Sequence, residues 1–128
     1  MKNNDLIETK NDIVFSQIED IKKDIISTRN KILTDANKEL INMYFRIGKI
    51  ISENQKYGSN FINSLSTSLK IEFPDTTGFS PRNLARMRKF YETYKDLSNL
   101  PTAVAKLPWS FNNLLIDIID DLVGWILI

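Results

Sequence analysis

Between residues 12 and 55 the chain contains no proline and one glycine, Gly48, and this uninterrupted stretch limits the fold more than any other feature. Apolar or small residues recur in it at Val14, Ile18, Ile21, Ile25, Thr28, Ile32, Ala36, Leu40, Met43, Ile47 and Ile50. Steps of four and three alternate at both ends of the series, as in a heptad-patterned helix, and successive steps of four from Thr28 to Leu40 mark a stutter. The pattern predicts one long helix over residues 12–55, with Asp12 placed to cap it. At 1.5 Å per residue it would run roughly 65 Å. Residues 1–11 are polar and mixed in charge, and read as a disordered tail.

A stripe of that length needs a cover, because a row of isoleucines left in water is costly. Two arrangements supply one. The helix breaks near residues 28–30 and folds back as a hairpin, or its N-terminal half pairs with another chain or a missing domain. The second is preferred, since the remaining chain is too short to cover the whole stripe.

The rest reads as a small helical bundle over residues 60–122, so the class is all-α. Tyr57-Gly58-Ser59 is a turn, and a second helix follows over residues 60–73 with Phe61, Leu65, Leu69 and Phe73 on one face. Pro74 and Gly78 make residues 73–79 a loop. Ser80-Pro81 then signals a strong helix start, serine at the N-cap and proline at N1, for a third helix ending near Tyr94 or Lys95. Pro101 and Pro108 bracket a short helix over residues 102–106. A last helix over residues 112–122, for which Ser110 offers a cap, precedes an apolar end at residues 123–128.

Composition narrows the chemistry. The chain has no histidine and no cysteine, which removes the commonest general base, a cysteine nucleophile, disulfides and thiolate metal sites. No cofactor or small-molecule substrate is evident. Asp117, Asp120 and Asp121 lie on one helical segment without a second group of ligands, so they read as a solvated face, and no metal is expected. Lys56-Tyr57-Gly58 lacks the glycine spacing of a phosphate loop. Trp109, beside Pro108, reads as a core anchor. No apolar signal-peptide core opens the chain, and the segment from Phe111 onward is short for a membrane span and carries three aspartates. A cytoplasmic location without membrane contact is expected.

Charge is distributed unevenly. Residues 1–55 carry nine basic and nine acidic side chains, residues 56–110 eight and four, and residues 111–128 three acidic side chains alone. A polyanion would therefore meet the middle third. On a helical wheel of the third helix, Leu84, Met87, Phe90, Tyr91 and Tyr94 share a core-facing arc of about 120°. Arg82, Arg86, Lys89 and Thr93 lie nearly opposite, and Arg88 sits apart. Helix, glycine-containing turn and second helix with a basic outer face are what a helix-turn-helix reader of DNA presents. Arginine suits that task because its planar fork engages phosphates and guanine edges. The same face also fits a plain solvated surface or a partner's acidic residues.

The run Gly78-Phe79-Ser80-Pro81-Arg82-Asn83-Leu84-Ala85-Arg86-Met87-Arg88-Lys89-Phe90-Tyr91 strongly resembles the signature of YhcG-type N-terminal domains. Ile47-Gly48-Lys49-Ile50-Ile51, Tyr57-Gly58 and Leu107-Pro108-Trp109-Ser110 are similar to three further family segments in the same order, so the likeness spans residues 32–116. One departure is Phe111, where the family tends to have histidine. Proteins of this kind usually continue into a PD-(D/E)XK nuclease domain, and the resemblance implies a role in DNA binding or assembly for the N-terminal part. This chain has no spaced acidic constellation with a lysine to hold Mg²⁺, so it is not expected to cut DNA. Its apolar end suggests truncation ahead of the nuclease half.

The sequence thus leads to a DNA-binding and assembly module of a bacterial nuclease-type protein, self-associating through its long N-terminal helix in a coiled coil. The residues expected to contact DNA are Arg82, Arg86 and Lys89, with Arg88 and Asn83 second. The rivals are a protein–protein interaction module and an inactive gene remnant.

Overall fold

The computed structural model describes the backbone of residues 2–54, 59–97 and 100–127, and the side chains of residues 9–54, 60–97 and 100–122. Five helices account for nearly all of it: α1 (Lys2–Glu53), α2 (Ser59–Glu72), α3 (Pro81–Tyr94), α4 (Thr102–Lys106) and α5 (Trp109–Leu127). Among the described residues there is no strand. The Tyr57-Gly58 turn lies outside the described residues. The chain divides into two units, residues 1–36 and residues 37–128, and α1 contributes to both.

The first unit is helix throughout its described residues. Residues 1–11 were expected as a tail, but α1 begins at Lys2, so Asp12 lies inside the helix and does not cap it. No proline or glycine interrupts residues 2–11, and nothing there stops a helix from propagating. The helix also runs unbroken through residues 28–30, which excludes the hairpin. Thr28 Oγ1 donates to Asp24 Oδ1 (3.3 Å) and Thr34 Oγ1 to the Asn30 carbonyl (2.8 Å), so these polar residues are satisfied within the helix. Val14, Ile18, Ile21, Ile25 and Ile32 are all exposed, Ile21 by 59%.

In the second unit α3 is central. Ser80 adopts an extended backbone at its N-cap and accepts the Asn83 N–H at 3.2 Å, and Pro81 occupies the first turn, as expected. Leu84, Met87 and Phe90 are fully buried. Leu84 and Met87 join Tyr44, Ile51 and Phe79 in one cluster, onto which α2 packs Phe61, Ile62, Leu65 and Leu69. Phe90 joins Ile41, Val104 and Ile116 in a second. Phe73 is half exposed, and its ring leans on Phe79 at 6.4 Å.

The buried face of α1 is offset by one residue from the expected stripe. Ile41, Tyr44, Gly48 and Ile51 are buried, whereas Leu40 and Ile50 are exposed. Met43 and Ile47 are partly buried against the cluster of Tyr44, Ile51 and Phe79, and with Ile50 they line a small apolar groove of about 230 Å³ beside Leu65 and Leu69. Gly48 explains the offset. A Cβ there would lie 2.0 Å from the Met87 carbonyl oxygen and 3.1 Å from Tyr91 Cβ. The two backbones approach so closely that only glycine fits, and the turn of α1 bearing it must face α3.

Polar groups close the second unit. Asn37 Nδ2 donates to the carbonyls of Leu107 (3.0 Å) and Ala105 (3.4 Å), and buried Asn112 donates to Leu107 (3.1 Å) and Val104 (3.2 Å). Two asparagines thereby satisfy the carbonyl end of the one-turn helix α4. At an exposed helical site Gly48→Ala would add stability of up to about 1 kcal/mol. Here it should remove about 3 kcal/mol or more by forcing α1 off α3. Urea unfolding followed by circular dichroism checks the sign, and a stabilised variant would mean that the two backbones do not touch.

Candidate functional site

Four of the five residues expected to meet DNA are basic, and the fold gathers them. Arg82, Arg86, Arg88 and Lys89 line one open depression of about 290 Å³ along α3, with Asp117 as its one carboxylate among the described residues. Arg82 and Arg86 also border a neighbouring cleft of about 470 Å³ with Thr77, Ser80, Asn83 and Asn113, and among the described residues no acidic one lines it. Arg82 is exposed, and among the described residues it has no ion pair within the chain.

The remaining cations are less free than the helical wheel of α3 implies. Arg86 lies 3.7 Å from Asp117, and Lys89 pairs with both Asp117 (3.8 Å) and Asp120. Arg86 and Lys89 are half-buried because α5 runs alongside α3. Arg86 and Lys89 are three residues apart on α3, as Asp117 and Asp120 are on α5. That shared spacing was present in the sequence and pairs the two helices charge for charge. The aspartates read as a solvated face are thus partners of the basic face, and Asp121 alone is unengaged in these pairs. Arg88 sits 3.9 Å from Glu92, whose carboxylate also accepts the Ser52 hydroxyl at 3.0 Å, while the Arg88 Nε is buried without a hydrogen-bond partner.

Asn83 has a structural task. Its Nδ2 donates to the Gly78 carbonyl at 2.6 Å, and its Oδ1 accepts the Trp109 indole N–H at 2.7 Å. Gly78 has φ +102°, which permits the loop to turn toward α3, and a Cβ there would sit 3.0 Å from the Tyr44 hydroxyl. Burial pushes the Tyr44 hydroxyl above the ordinary tyrosine range, so it stays protonated at neutral pH. Trp109 packs edge-on against Tyr44 at 4.8 Å and Phe90 at 5.3 Å. It is the core anchor expected, with its polar edge spent on Asn83. The α2–α3 connection, residues 73–80, is longer than the three or four residues of a helix-turn-helix turn.

Among the described residues no group of three potential ligands is placed to hold a metal ion, and no helix is long and apolar enough to cross a membrane. Residues 123–127 continue α5 as helix, and Ile128 lies outside the described residues.

The sequence model of the DUF1016 N-terminal domain matches residues 20–123. The chain belongs to the DUF1016 N-terminal domain family. This is the YhcG-type, nuclease-associated family that the motifs around Arg82 and Trp109 resemble, and the matched model is that of the N-terminal domain. No curated protein and no solved structure matches the chain.

Asn83→Leu leaves the Gly78 carbonyl and the Trp109 N–H without their partner. The expected cost is about 2–4 kcal/mol, toward the lower end of the about 1–3 that each unpaired buried group costs, because both bonds are only partly buried. Thermal unfolding followed by tryptophan fluorescence measures it, and an unchanged midpoint would remove Asn83 from the structural framework.

Proposed function

We propose that this domain assembles copies of the protein through α1 and holds DNA by its phosphate backbone along α3. The observation that carries the DNA half is the depression shared by Arg82, Arg86, Arg88 and Lys89. Leu84, Met87 and Phe90 lock the opposite side of the same helix into the core, so the cations are held on a rigid element. Arg82 and Arg86 supply forked donors that suit phosphate oxygens, and Lys89 adds a third positive charge. In this role Arg88 is secondary, being engaged with Glu92, and Asn83 positions the helix start. Neighbouring phosphates would compete with Asp117 and Asp120 for Arg86 and Lys89, which keeps the affinity low. The domain itself performs no chemistry in this account; cleavage belongs to a nuclease partner domain.

The ion pairs from α5 favour a second reading. If Asp117 and Asp120 exist only to saturate Arg86 and Lys89, the basic face is an internal fastening and the domain is an interaction module without DNA binding.

Opposite substitutions separate the two. With about three phosphate contacts per chain, each contributing roughly −0.9, the slope of log affinity against log salt should be about −3 per protomer. Arg82→Ala with Arg86→Ala should weaken duplex binding clearly at about 50 mM salt, where phosphate contacts remain strong. Asp117→Asn with Asp120→Asn should strengthen it. Fluorescence anisotropy with labelled duplex reads both, and circular dichroism confirms retained helix. Binding that neither pair alters, or none by the parent, gives the second reading.

A further inference from the structure

From the exposed stripe and the charges that flank it, we infer that α1 pairs with α1 of a second copy in parallel and in register. The inference rests on the assembly half of the proposed function and adds its geometry. Ile18, Ile25 and Ile32 occupy one core position of the heptad, and Val14, Ile21 and Thr28 the other. All are exposed in the single chain, on a helix that runs unbroken from Lys2 to Glu53. The alternating steps of four and three end at Ile32, and the second unit begins at Asn37. From there the inward residues of α1 are Ile41, Tyr44 and Ile51, committed to the core of their own chain. The coil therefore ends at Ile32.

The flanking residues choose the direction. In a parallel pair each residue just before the first core position meets the residue five further along on the partner. That sets Asp24 against Arg29 of the second copy, twice across the pair, and Gln17 against Lys22, with no like charges opposed. Among the described residues no ion pair within the chain engages Asp24 or Arg29; Asp24 accepts the neutral Thr28 hydroxyl, which leaves its charge unanswered. The antiparallel alignment that keeps every core layer places Val14 against Ile32, Ile18 against Thr28 and Ile21 against Ile25. It also brings Asp24 against Asp24 and Lys22 against Lys22, and like charges so placed repel. Sliding the antiparallel pair by one heptad toward the N-terminus sets Ile32 against Ile7 but opposes Lys10 to Lys31 twice across the pair, and sliding it the other way sets Ile18 against Asp35.

Parallel pairing starts the residue 37–128 unit of each copy from the same end of the coil. Two α3 faces on one assembly would then act bivalently on a duplex whose spacing suits both.

The absence of native cysteine permits a direct test. Thr28→Cys alone should form a disulfide-linked dimer nearly completely under mild oxidation. A mixture of Ile18→Cys and Thr28→Cys chains should give little of the mixed dimer. A dominant mixed dimer would establish the antiparallel alignment and overturn the inference. No cross-link in either sample, with a mass that still reports an assembly, would also overturn it by placing the contact elsewhere. A monomer by light scattering would remove the assembly reading itself, leaving a different protein as the cover for the stripe. A charge swap gives an independent readout in the full chain: Asp24→Lys should weaken association several-fold, and adding Arg29→Glu should restore it. Failure of the second change to rescue the first contradicts parallel pairing.

Discussion

The contact between Gly48 and the Met87 carbonyl organises the second unit. With no side chain between them, α1 and α3 meet backbone to backbone, and every neighbouring residue is fixed by that approach. Tyr44 and Ile51, one turn to either side of Gly48, are driven into the cluster containing Leu84 and Met87. Ile41 reaches the second cluster with Phe90. The outward direction of α3 is fixed at the same time, because a helix that buries Leu84, Met87 and Phe90 must turn Arg82, Arg86 and Lys89 away from that core. A glycine on α1 thus decides which way the basic face points.

The site is a balance of charge on that framework. A row of four cations along one helix would repel itself and weaken the fold if nothing answered it. Asp117 and Asp120 answer two of them from α5, and Glu92 answers Arg88 from within α3. Each pair is partly exposed, so each contributes at most about 1 kcal/mol and remains open to exchange with an outside anion. Arg82 stands apart from these pairs at the first turn of α3. In the proposed DNA contact, a phosphate backbone would engage Arg82 first and then contend with the aspartates for Arg86 and Lys89, so contact at one end of the helix would have a different cost from contact at the other.

Much of the fold was legible because local signals agree with tertiary ones. Ser80 and Pro81 specify the start of α3 by capping and by fixed φ, and Trp109 after Pro108 serves as the anchor its size suggests. The family likewise followed from the motif around Arg82 and Asn83. Other features depend on contacts that periodicity does not encode. Leu40, Met43, Ile47 and Ile50 make as good a stripe as Ile41, Tyr44, Gly48 and Ile51, and hydrophobicity favours the less buried one, since glycine and tyrosine score poorly. Only the close approach of α3 selects between them. The polarity of residues 2–11 imitates disorder and hides the true start of α1, although nothing in them breaks a helix. The basic residues of α3 stand out by type and spacing. The pairing of Arg86 and Lys89 with Asp117 and Asp120 was missed because a helical wheel contains one helix.

The two halves of α1 obey different constraints. Beyond Asn37 its inward side chains are satisfied within the chain, whereas Ile18, Ile21, Ile25 and Ile32 are left in water, where burying one such side chain is worth about 1.5–3 kcal/mol. The most direct measurement is the molar mass of the purified chain by light scattering at tens of micromolar, for the parent and for Ile21→Asp with Ile25→Asp. The account predicts a multiple of 14.8 kDa for the parent and a single 14.8 kDa species, still folded, for the variant. A parent that elutes as a 14.8 kDa monomer would contradict it.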